Sequence, residues 1–122
     1  MQMQRLLLFP ILLALFATPA AAIDPPYQKE MERLAEVMGS LYFLDPLCEG
    51  SDTDWRAQMQ DLIIADEPDE DRRERLAGAF NSGYAAYSRL YRSCTSSAHE
   101  ALGRLLEEAQ QTARDIHAHY AD

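Results

Sequence analysis

The stretch LAGAFNSGYAAYSRLYRSC, residues 76–94, decides the fold. Its large apolar and aromatic side chains, Leu76, Phe80, Tyr84, Tyr87, Tyr91 and Cys94, recur at steps of four, four, three, four and three. That is the spacing of one helix face, and a strand would instead alternate every second residue. The stripe therefore predicts a helix that carries Cys94 inward with the aromatics. Just upstream, Asp69, Glu70 and Asp71 precede Arg72, Arg73 and Arg75. Carboxylates in a first turn complement the helix dipole, so this charge run reads as the helix start.

The same periodicity extends in both directions. Downstream, Ala98, Leu102, Leu105, Leu106, Ala109, Ala113, Ile116 and Tyr120 form a second long stripe, opened by Ser97 and Glu100 as a capping box. Upstream, Trp55, Met59, Leu62 and Ile63 predict a shorter helix, with Ser51 and Asp54 as its capping pair. Further upstream, Met31, Leu34, Met38, Leu41 and Tyr42 predict a helix from about Tyr27 to Leu44. Asp45-Pro46 should end it, because proline disfavours the helical conformation in the residue before it. No run of alternating β-branched residues suggests a strand. The expected fold is all-α, a compact four-helix bundle-like domain. Gly39, Gly83 and Gly103 fall inside these helices, where each costs about 1 kcal/mol relative to alanine. Close helix crossing or a backbone notch for a ligand would offset that cost.

The first residues have a different character. Arg5 is followed by the apolar run Leu6 to Phe16 and the small residues Ala20-Ala21-Ala22, the pattern of a signal peptide cleaved after Ala22. The expected organisation is a signal peptide over 1–22, a linker over 23–26 and the helical domain over 27–122. A retained anchor is the alternative, since Leu6 to Ile23 is uncharged and close to a short membrane span; Pro10, Pro19 and the alanines favour cleavage. Cys48 and Cys94, the chain's two cysteines, both follow the leader, and an oxidising compartment would join them as one disulfide. Their separation of 46 positions implies a stabilisation of about 4 kcal/mol from loop entropy.

Composition narrows the partners. The 122 residues carry 20 Asp and Glu against 11 Lys and Arg, a net charge of -9, which repels phosphate backbones and anionic headgroups. Nucleic acid is not expected as a partner, nor is a stable membrane anchor after cleavage. Basic proteins, cationic ligands or divalent ions fit the charge better.

Several segments together resemble a known family. These are Leu34-Ala35-Glu36-Val37-Met38-Gly39 leading to Leu47-Cys48, Trp55-Arg56-x-x-Met59, Arg72-Arg73, Ala79-Phe80-Asn81-x-Gly83-Tyr84, and Tyr91-x-x-Cys94. The pattern, over about Tyr27 to Ala113, resembles an uncharacterised family of small exported alphaproteobacterial proteins, a domain of unknown function. The resemblance implies a bacterial cell-envelope location, and the leader pattern over 1–22 makes the expected compartment periplasmic. It implies no activity, substrate or catalytic residue.

The residues themselves offer little chemistry. His117 and His119 point about 200° apart on a helix and cannot share one metal, whereas Asp115 and His119 share a face and would hold one weakly if at all. Residues Asp66 to Asp71 lack the spacing of a calcium loop. No nucleophile elbow accompanies the serines. No catalytic residue, metal site or cofactor is expected. The candidate binding face is Tyr84, Tyr87 and Tyr91 with Asn81 beside Gly83, where aromatic rings with polar tips would line a groove; ordinary core packing explains the same stripe. Arg72, Arg73 and Arg75 would meet an anionic partner or pair with the chain's own carboxylates. A non-enzymatic module that binds an envelope protein is the leading expectation. An acid- or stress-responsive periplasmic chaperone is the first alternative, and a small-ligand carrier or enzyme using the tyrosine face the second. Oligomeric state is not legible.

Overall fold

In the computed structural model, which describes residues 23–120, one helix is the hub of the molecule. The expected signal peptide over 1–22 lies outside the described residues. Four helices follow in order: α1 Gln28–Leu47, α2 Trp55–Asp66, α3 Glu70–Leu90 and α4 Ser96–Tyr120. No strand occurs among the described residues. Helices α2, α3 and α4 each pack on α1, and α3 does so most extensively. The sequence of α1 explains this. Beyond Glu36 it carries no charge until Asp45, and Val37, Met38, Leu41 and Leu44 bury different sides of the helix. A helix apolar nearly all round has to be covered nearly all round. By contrast, α3 buries Leu76 and Phe80, and α4 buries Ala98, Ala101, Leu102, Leu105 and Ala109, one stripe each.

Two glycines set the α1–α3 distance. A Cβ on Gly39 would lie 2.7 Å from the carbonyl carbon of Phe80, and one on Gly83 would lie 2.9 Å from both the Glu36 carbonyl carbon and Ser40 Oγ. The two backbones thus meet with no side chain between them, the close crossing that offsets the propensity cost of both residues. Gly103 has no such role, because a Cβ there meets nothing within 4 Å.

Helix ends differ from the sequence expectation at several points. Helix α1 does not stop at Leu44 but runs through Pro46 to Leu47. The missing amide of Pro46 falls in the last turn. Amides of Cys48, Glu49 and Gly50 bond back to Leu44, Pro46 and Asp45 at 3.0, 3.2 and 2.9 Å and close the helix. The buried Asp45 side chain anchors this end. It accepts from the Ser51 hydroxyl and, at 2.8 Å, from Trp55 Nε1. Ser51 is therefore not the cap of α2. Asp54 is, its carboxylate accepting from the Ala57 amide at 3.0 Å. Asp69 caps α3 in the same way through the Arg72 amide at 2.8 Å, as its acidic run suggests. Thr95, rather than Ser97 with Glu100, caps α4 by accepting from the Ala98 amide at 3.1 Å.

The largest correction concerns Cys94. Helix α3 ends at Leu90, and Tyr91 turns extended with φ -126° and ψ 130°. Cys94 therefore leaves the inward stripe and lies exposed in the connection to α4. It still bonds Cys48, just past the end of α1, with the Cα atoms 5.0 Å apart. The pairing expected of two cysteines in an oxidising compartment holds, although Cys94 does not ride on the inward helix stripe.

Candidate interaction groove

Helix α2 packs on α1 and not along α3, so a groove of about 730 Å³ opens between α2 and α3. On α2 it is lined by Arg56, Met59, Gln60, Ile63 and Ile64. Those positions follow i, i+3, i+4, i+7 and i+8, one face of a helix. On α3 the lining is Arg73, Ala77, Phe80 and Asn81, at i, i+4, i+7 and i+8, and Glu67 and Pro68 close the end at the turn. Met59 and Phe80 form a buried floor continuous with the core. Ile64 stands on the lip with 72% of its surface in solvent.

The groove's two arginines differ from their neighbours. Arg72 is buried and bridges Asp66, while its Nε donates to Gln28 Oε1 at 2.7 Å. Arg75 is held by Asp24 at 2.6 and 2.8 Å and by Asp71 at 3.0 Å. Arg33 makes a two-pronged bond to Glu108 at 2.9 and 2.8 Å, tying α1 to α4. Arg56 and Arg73 make no ion pair among the described residues. So the Arg72-Arg73-Arg75 run divides: its first and third members serve the chain's own carboxylates, and Arg73 points its charge at the groove.

Of the residues expected on a binding face, only Asn81 lines this groove. Tyr84 packs on the α1 rings, 5.5 Å from Tyr42 and edge-on at 5.7 Å from Phe43, and leaves 40% of its surface exposed. Tyr87 and Tyr91 stack on each other at 6.3 Å, half-buried against the core. The tyrosines lie on the α1 side of α3 or past its end, and Asn81 lies on the α2 side. Sequence reasoning missed Ile64, although its spacing from Arg56 and Gln60 carries the signal of a second, partly apolar face on α2.

Elsewhere, electrostatics ties the start of α1 to the end of α2 and to the first turns of α3. The Tyr27 hydroxyl donates to Asp66, and that bond, with burial, raises the Tyr27 pKa above its ordinary value. The Arg75 guanidinium hydrogen-bonded to Asp24 holds that carboxyl below the usual range. His119 Nδ1 meets the Asp115 carbonyl oxygen at 2.8 Å, and no cluster of three or more metal-ligating side chains occurs among the described residues. No helix among them is long and apolar enough to cross a membrane.

A family model described as a protein of unknown function (DUF2385) matches residues 26–120. The chain belongs to the DUF2385 family. The DUF2385 match encloses all four helices, both cysteines and every residue lining the groove. No curated protein and no solved structure matches this DUF2385 chain.

Proposed function

We propose that this chain is an exported, non-enzymatic accessory module of the bacterial cell envelope that binds another protein through the groove between α2 and α3. The observation that carries the reading is the groove itself: an open, apolar-floored channel with an exposed isoleucine on its lip and two arginines that make no ion pair among the described residues. Apolar surface left uncovered beside unpaired charge is the usual composition of an interaction site. Export rests on the leader pattern over 1–22 and on the Cys48–Cys94 disulfide, a bond typical of oxidising compartments.

Site-specific photo-crosslinking in living cells tests the reading. A crosslinker at Gln60 or Asn81 should join one discrete protein, and a crosslinker at Gln110 on the exposed side of α4 should not. The same crosslinks from all three positions, or from none, would refute a groove-directed module. Fractionation with mass spectrometry of the mature N-terminus tests export: a chain beginning at Ile23 outside the cytoplasm is expected, and a cytoplasmic chain still carrying Met1 refutes it.

A further inference from the structure

We propose that the occupant of the α2–α3 groove is an acidic amphipathic helix of a protein partner, an inference that rests on the reading above and specifies its chemistry. Length is the first argument. From Arg56 to Glu67 the lining face of α2 runs about 16 Å, three helical turns. An element of that length that buries leucine-sized side chains at i, i+4 and i+7 matches the Met59–Ile63 and Ala77–Phe80 floor.

Shape is the second argument. A free acyl chain needs enclosure on nearly all sides to escape water. This channel is open along its length, and Ile64 on the lip is 72% exposed, so only an occupant broad enough to cover the lip removes that side chain from water. A helix about 10 Å across does so.

Charge is the third. Arg73 lies in the first turn of α3, just after the Glu67–Pro68 turn that closes the channel, and Arg56 lies in the first turn of α2, the length of that helix away from the turn, so the two sit toward opposite ends of the channel. The molecule's net charge of -9 repels an acidic partner at long range, so the attraction is local to these two guanidinium groups and acts only on carboxylates seated beside them. Among the described residues neither groove guanidinium has a carboxylate partner, so carboxylates on an incoming helix find both unoccupied, and Glu67 at the closed end repels an acidic residue placed beyond Arg73. The pairing fixes register as well as attraction, since complementary charge suppresses misplaced partners. The chain's own leader does not meet this requirement, because Met1 to Ala22 contains Arg5 and no carboxylate.

The probe is a labelled, amide-capped Ala-based peptide of about four helical turns, with leucines at i, i+4 and i+7 and glutamates beside them. Its counterpart carries lysine in place of each glutamate. Fluorescence anisotropy with the oxidised protein should show saturable binding of the glutamate peptide and binding at least about tenfold weaker for the lysine peptide. Arg56→Gln with Arg73→Gln should reduce glutamate-peptide affinity about tenfold, as two rim ion pairs allow, and abolish the preference between the peptides. Ile64→Ser should weaken the glutamate peptide by about tenfold and leave the preference intact. All three substitutions sit on solvent-exposed side chains, so an unchanged circular dichroism spectrum and denaturation midpoint show that folding is retained.

Equal affinity for the two peptides, no effect of the substitutions, or tighter binding of dodecanoate than of the glutamate peptide overturns the proposal. So does a concentration-dependent dimer that the glutamate peptide does not dissociate while Ile64→Ser does, because a second copy would then be the occupant. A discrete groove-specific crosslink in cells, with no charge preference between the peptides, overturns the acidic occupant alone. Loss of both overturns the protein-binding reading too.

Discussion

Replacing Gly39 by alanine should destabilise the protein by about 3 kcal/mol, although helix propensity by itself predicts a gain of about 1 kcal/mol. The sign reversal follows from the α1–α3 crossing. The new methyl would sit 2.7 Å from the Phe80 carbonyl carbon and closer still to its oxygen, and the obstacle is backbone, which cannot rotate aside. Restoring an ordinary contact with that oxygen requires the two helices to part by about 1.5 Å. A gap of about 0.5–1 Å already forfeits a quarter to a half of each dispersion contact across the interface, and this one forfeits more. Val37, Leu41, Leu76 and Phe80 all belong to the core this crossing closes. Losses of that kind across several buried side chains exceed the propensity gain. Gly83→Ala should behave alike, since its methyl meets the Glu36 carbonyl and Ser40 Oγ. Gly103→Ala is the control: nothing lies within 4 Å of its Cβ, so it should stabilise by up to about 1 kcal/mol. Urea denaturation followed by circular dichroism measures all three. On heating, the two groups should move in opposite directions, by about 4–8 °C per kcal/mol. A Gly39→Ala protein as stable as the parent, with an unchanged denaturant slope, would refute the crossing.

Three further outcomes follow from the same contacts. Converting Cys48 and Cys94 together to serine should remove about 4 kcal/mol, and adding reductant to the parent should lower its urea midpoint to that of the variant; equal midpoints for all forms would contradict it. Asp45→Ala should cost about 2 kcal/mol and shift Trp55 emission, because the indole N–H and the Ser51 hydroxyl lose their shared acceptor; unchanged fluorescence would show that the bond is not made in solution. The pH dependence has two signs. Asp24 has a lowered folded pKa because of Arg75, so its contribution is present above the ordinary carboxylate pKa of about 4 and is lost as pH falls through the folded value. Tyr27 has a raised pKa because its hydroxyl donates to Asp66, so its contribution is complete below about pH 10 and lost as pH rises through the folded value. Asp24→Asn should therefore flatten the acid limb of the urea midpoint and Tyr27→Phe the alkaline limb, and the opposite assignment would refute both.

Helix content, the existence of α1 to α4 and the identity of most core positions were determined by the sequence, because apolar spacing over many turns is a local property that survives any packing arrangement. The disulfide was legible for a different reason, since two cysteines allow one pairing. Ends were not legible, because they depend on contacts that come from elsewhere in the chain. Asp45 holds Ser51 and Trp55, which draws the α1 terminus past Leu44 and leaves capping of α2 to Asp54, and the stripe of α3 carried no sign that Tyr91 would turn extended. The groove belongs wholly to tertiary structure. Periodicity placed Tyr84, Tyr87 and Tyr91 on one face of α3 with Asn81 near them, but which face another helix would cover depended on the Gly39–Gly83 crossing, which turns the tyrosines toward α1 and leaves Asn81 beside α2. The same holds for charge: three arginines close in sequence look equivalent, and only the folded positions of Asp66 and Asp24 neutralise Arg72 and Arg75 and leave Arg73 to the groove.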